Sequence, residues 1–101
     1  MPVSPRIRVP QEAIAALCQR HHIARLAFFG SALRDDFGAH SDVDVLVEFE
    51  PGHAPGLAFF GVQEELAGIL GRKVDLNTAN DLSPDFRDDV LRAAEPILGA
   101  A

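Results

Sequence analysis

Three acidic positions and one glycine–serine step are where this 101-residue chain has the residue types for chemistry. Gly30-Ser31 closes one apolar run, Asp42 and Asp44 open the next in an Asp-x-Asp pattern, and Asp75 sits inside a third, Val74-Asp75-Leu76. Taken singly, each has an ordinary reading: a tight turn, a solvated strand end, a strand-edge charge. Taken together they describe one site. Residues two apart on a strand point the same way, so the Asp42 and Asp44 carboxylates are co-facial. A third carboxylate beside them concentrates negative charge that protons or cations must balance. Hard oxygen donors suit Mg²⁺, which keeps waters and substrate phosphates in its shell. Two such ions about 4 Å apart clamp the attacking and leaving oxygens of a phosphoryl or nucleotidyl displacement. Gly30 lets backbone approach a phosphate closely, and Ser31 adds a hydroxyl and an N–H at a helix start.

The hydrophobic pattern supplies the elements that would position these residues. From Pro10 to about His22, Ile14, Leu17 and Cys18 recur at helical spacing, and Pro10 suits a first turn. Ile23 to Phe29 reads as a buried strand ended by Gly30. A short helix follows from Ser31 to about Asp36, then a loop through Gly38, Ala39, His40 and Ser41. Asp42 to Phe49 alternates cleanly, with Val43, Val45, Val47 and Phe49 on one face and Asp42, Asp44, Leu46 and Glu48 on the other. Pro51, Gly52, Pro55 and Gly56 mark a turn. Leu57 to Leu70 is an amphipathic helix ended by Gly71. Arg72 to Asn77 is a third strand, and Ser83-Pro84 opens a last helix running to about Glu95, where Pro96 ends or kinks it.

The order α-β-α-β-α-β-α predicts an α/β fold, a small mixed three-stranded sheet covered by helices, with an edge or face left exposed for a partner. A right-handed crossover through helix 57–70 makes the third strand parallel to the second and sets Asp75 level with Asp44. An antiparallel first strand returns Gly30-Ser31 to that same end.

Composition bounds the function. The chain is 48% apolar and 24% charged, enough for one core, so residues 10–101 are expected to form one domain behind a loosely ordered lead-in, residues 1–9. No apolar stretch approaches bilayer length, and Arg6 and Arg8 lack the apolar run of a signal peptide behind them; no membrane association and a cytoplasmic location are expected. The single cysteine, Cys18, excludes an internal disulfide and a cysteine-based zinc site. Nine basic against fifteen acidic residues, a net charge of −6, disfavour direct nucleic-acid binding. Neither a Walker-type phosphate loop nor a Gly-x-Ser-x-Gly elbow is present.

The segment Phe28-Phe29-Gly30-Ser31-Ala32-Leu33-Arg34-Asp35-Asp36-Phe37, followed by Ser41-Asp42-Val43-Asp44-Val45-Leu46-Val47, resembles the minimal nucleotidyltransferase (MNT) domain. This is the small branch of the DNA polymerase beta nucleotidyltransferase superfamily. The resemblance runs from about Ile14 to Gly99, with Val74-Asp75-Leu76 matching the third-acid strand. Where many relatives read Ala-Arg-Gly after Gly-Ser-x, this chain has Leu33, Arg34 and Asp35, keeping the arginine and losing the glycine.

The resemblance implies a polymerase beta-like fold and a Mg²⁺-dependent nucleotidyltransferase with ATP as substrate and two metal ions. MNT proteins commonly pair as antitoxins with a HEPN-domain ribonuclease toxin, transferring AMP onto one of its tyrosines and so silencing it, which implies a hetero-oligomer. Carried over by position, Asp42, Asp44 and Asp75 would bind the metals, and Asp75 would also help deprotonate the acceptor hydroxyl. Gly30 and Ser31 would hold the triphosphate; Arg34 would contact phosphates or pair with Asp35 or Asp36. Two alternatives remain open: transfer to a small hydroxylated molecule, and a non-catalytic antitoxin acting by contact.

Other polar residues read more plainly. His40 is a loop histidine near the proposed site. His21, His22 and His53 show no metal-ligand spacing with one another or with Cys18 and read as surface residues. Phe59-Phe60 offers one ring to the core and one to a partner, Lys73 shares Asp75's strand face, and Asp88-Asp89 forms the solvated face of the last helix.

Overall fold

In a computed structural model of the chain, residues 9–30, 42–53, 56–85 and 87–98 are described. Two helices and four strands build the core. α1 (Gln11–His21) is followed by β1 (Ile23–Phe28), β2 (Val43–Phe49), α2 (Ala58–Leu70), β3 (Val74–Asn77), a 3₁₀ turn over Ala79–Asp81, α3 (Arg87–Ala93) and β4 (Glu95–Leu98).

Left-handed residues end both long helices, returning a backbone N–H to a last-turn carbonyl. At α1 this residue is His22, φ 55°, bonded to the Cys18 carbonyl. At α2 it is Gly71, φ 68°, bonded to the Ala67 carbonyl. The stripes Ile14, Leu17 and Cys18 of α1 and Val62, Leu66 and Leu70 of α2 are buried together against one face of the sheet. That face is supplied by Val43, Val45 and Val47 of β2, Leu26 and Phe28 of β1, and Val74 and Leu76 of β3. Arg20 and His21 at the end of α1 both bond the Glu65 carboxylate of α2, the latter at 3.0 Å. Their hydrogen bonds, Arg20's first, hold the Glu65 carboxyl below its ordinary range and tie the two helices at the surface.

The sheet order is β3-β2-β1-β4, with β1 antiparallel to both neighbours and β2 parallel to β3. The mixed sheet is the expected one; the fourth strand is a correction. Pro96 disfavours helix for the residue before it and lacks a donor, so α3 stops at Ala93 and the chain continues extended. On an edge strand that missing donor is tolerated, and Ile97 is buried into the core. The last helix also starts later than Ser83. A turn through Ser83 intervenes, where the Ser83 hydroxyl accepts from the Asp85 N–H at 3.4 Å. The expected helix from Ser31 to Asp36 and the loop through His40 lie outside the described residues.

Candidate active site

Asp44 and Asp75 occupy partnered positions of the parallel β2–β3 pair. Their neighbours Val43, Val45, Val74 and Leu76 turn into the core, so both carboxylates rise from the opposite face of the sheet. Adjacent strands are about 4.8 Å apart, which sets the scale of the pair. Asp42, exposed, continues the same alternation one step before β2, whose first residue is pinned by a 2.9 Å bond from the Val43 N–H to the Lys73 carbonyl.

β1 delivers its exit to this same end. Phe29 N–H donates to the Asp44 carbonyl at 3.1 Å, and Gly30 follows with φ 60°. A Cβ placed on Gly30 would stand 2.7 Å from Asp44 Oδ2. The glycine is therefore required twice, by its left-handed backbone and by the carboxylate packed against it. Gly30→Ala is expected to cost about 1–2 kcal/mol from backbone conformation alone and to displace the Asp44 carboxylate. A melting midpoint lowered by several degrees in a thermal-unfolding scan is the expected result.

The donor set is all carboxylate oxygen, beside a backbone cradle that a side chain would fill. It fits a hard divalent cation such as Mg²⁺ and not a soft one. A cleft of about 530 Å³ runs beside Asp75 and is lined by Phe59, Phe60 and Gln63 of α2, with Thr78 and Asp81 beyond β3. Gln63 also fastens the outer edge of β3, its Oε1 accepting from the Leu76 N–H at 2.9 Å. Phe59 packs partly against the core while Phe60 is 62% exposed, the division of labour expected of that pair.

Of the residues singled out from sequence, the structure brings together Gly30, Asp44 and Asp75, with Asp42 one step before β2. Ser31 and Arg34 lie outside the described residues. Lys73 is exposed immediately before β3, and Asp88 and Asp89 are exposed on α3. Two features were not read from sequence. One is the packing of Gly30 on the Asp44 carboxylate; its signal was the antiparallel return of the first strand combined with the Gly-Ser step. The other is a meeting of His22, Glu50 and His53 at the far end of the sheet, which spacing along the chain does not reveal.

Comparison with known proteins gives a consistent result. The family model described as a nucleotidyltransferase domain matches residues 11–96. A relative from Thermococcus cleftensis named protein adenylyltransferase MntA is 36% identical over 77 residues, 75% of this chain and 76% of that one. A solved structure described as a minimal nucleotidyltransferase superposes with a TM-score of 0.70 at 40% identity, covering 85% of this chain and 87% of that one. A crystal structure of a toxin–antitoxin with AMP-PNP shares the fold, with a TM-score of 0.69 at 20% identity over 91% of this chain and 75% of that one. Among the described residues, no helix is long and apolar enough to cross a membrane.

Proposed function

The chain belongs to the nucleotidyltransferase domain family, and from that premise we propose that it is a protein adenylyltransferase acting as the antitoxin of a HEPN-type ribonuclease. In this reading it moves AMP from ATP to a tyrosine hydroxyl of that partner, in the cytoplasm where ATP is supplied. The observation that carries the reading is the level pairing of Asp44 with Asp75 beneath Gly30. The relative named protein adenylyltransferase supports the reaction class, and the toxin–antitoxin structure of the same fold supports the kind of partner.

Asp42, Asp44 and Asp75 are the residues that would hold Mg²⁺. When bound, the metal screens phosphate charge and favours the in-line geometry of displacement. The chain's own residues do the rest. Gly30 offers close backbone approach to the triphosphate, with Ser31 and Arg34 following it in sequence as the remaining phosphate contacts. Asp75, one of the residues lining the Phe59–Phe60 cleft, takes the acceptor's proton as its oxygen attacks the α-phosphorus and pyrophosphate leaves. An aromatic cleft beside the base suits a phenol better than an aliphatic polyol, which favours tyrosine over a small hydroxylated substrate.

The test begins with binding. Asp42→Asn and Asp44→Asn preserve shape while removing charge, so each should keep the fold. Calorimetric titration with Mg²⁺ and a non-hydrolysable ATP analogue should show affinity lowered at least about tenfold in each variant, the scale of losing a metal contact. Unchanged affinity in both would sink the acidic site as a nucleotide–metal centre.

A further inference from the structure

At the end of the sheet opposite Asp44 and Asp75, three side chains from two distant stretches of chain converge. β1 begins and β2 ends here, with Ile23 opposite Phe49, so His22 and Glu50 lie just outside the last pair. Glu50 N–H donates to the His22 carbonyl at 2.8 Å. The chain then reverses through Pro51 and Gly52, φ 82°, and His53 N–H closes the turn on the Glu50 carbonyl at 3.0 Å. The His53 ring is stacked on the His22 ring with centroids 3.9 Å apart and planes inclined by 19°. His22 Nδ1 lies 3.5 Å from Glu50 Oε1, and a ligand atom from each of the three residues is within 4.8 Å of the others.

We propose that His22, Glu50 and His53 form a binding site for a divalent transition-metal ion of the Zn²⁺ class, separate from the acidic site. Two imidazoles and one carboxylate are a common three-ligand set for zinc, with water completing the shell. In a tetrahedral zinc site with bonds of about 2.0–2.1 Å, donors stand about 3.4 Å apart. The His22–Glu50 separation already matches that edge, and the exposed His53 ring, now lying flat against His22, turns about its side-chain torsions to aim a nitrogen at the shared ion. Backbone geometry holds the donors in readiness: a left-handed His22, a hydrogen-bonded strand end, and a closed four-residue turn. All three residues are exposed, so an ion enters without rearrangement of the core.

The two ends of the sheet therefore select different ions. The all-oxygen set at Asp44 and Asp75 suits Mg²⁺, whereas imidazole nitrogen favours zinc and its neighbours in the transition series. Bound zinc would staple the start of β1 to the turn that follows β2. It would stabilise the sheet at the end remote from nucleotide chemistry.

Full-length, tag-free, chelator-treated protein titrated with Zn²⁺ tests this. Wild type should bind one ion at this site and melt at a higher temperature with Zn²⁺ than without it, a rise that the histidine variants lack. Co²⁺ in place of Zn²⁺ should give the visible absorption of a nitrogen-ligated site. Asparagine tolerates the left-handed backbone, so His22→Asn, like His53→Ala, should melt as wild type does without metal. Each should lose at least tenfold in Zn²⁺ affinity, together with the visible band. Asp44→Asn should retain both. Absence of Zn²⁺ binding to wild type, wild-type affinity in the two histidine variants, or loss of the signal in Asp44→Asn would overturn the proposal. None of these outcomes depends on adenylyl transfer, so the site and the proposed function stand or fall separately.

Discussion

Asp75→Asn should slow AMP transfer by about 10²–10⁴-fold, the usual contribution of a positioned general base, while weakening ATP binding far less. The substitution keeps the shape of the side chain and removes its charge and basicity. Asp75 is exposed on an edge strand. The bonds that fasten β3 there use backbone atoms: the Leu76 N–H to Gln63 at 2.9 Å, and the Asp75 carbonyl from the Asn77 side chain at 3.1 Å. Neither needs the Asp75 carboxylate, so the fold should survive. In the proposed reading Asp42 and Asp44 still hold the metal–nucleotide complex, which is why binding and rate should separate. Single-turnover transfer at saturating ATP reads the rate, and calorimetry reads the affinity. A variant that turns over normally would reduce Asp75 to a structural charge.

The site was legible because two strong local rules determine it. Alternation over Asp42 to Phe49 fixes the faces of β2, and an amphipathic helix long enough for a crossover makes β3 parallel to it. With those two in place, Asp75 shares a face with Asp42 and Asp44, and the observed register sets it level with Asp44. The fourth strand was not legible, because four residues around Pro96 carry no periodicity and Pro96 alone signals only the end of a helix. Pairing with the open edge of β1 decides its conformation, and that edge is a tertiary fact.

β1 itself hides another such fact. Ile23 and Leu26 are both buried, which strict alternation forbids; a register shift between Ile23 and Arg25 reconciles them. The same antiparallel pairing that places this irregularity brings His22 to Glu50. No metal-ligand spacing exists along the chain for those residues, since a hairpin-like register, not sequence distance, makes them neighbours. Reading His22 and His53 as surface residues was right for their exposure but did not extend to the donors they share.

The largest expected effect is categorical: with ATP labelled at the α-phosphate, Mg²⁺ and a HEPN-type partner, all label should appear on the partner and none on this chain. The chain has no tyrosine, so a tyrosine-directed enzyme built on it cannot modify itself there. Its net charge of −6 complements a partner made basic by the need to hold RNA phosphates, and opposite charge raises the encounter rate. Leu57, 88% exposed, and Phe60, 62% exposed, stand at the start of α2, where Phe60 lines the cleft beside Asp75. Apolar contact made there would present a partner's side chain to the proposed base, Asp75. Asp42→Asn and Asp44→Asn leave that surface untouched, so they should bind the partner as wild type does, yet leave it unlabelled and its ribonuclease active. Should those variants silence the ribonuclease as well as wild type, inhibition works by contact, and adenylyl transfer is not how this chain neutralises its partner.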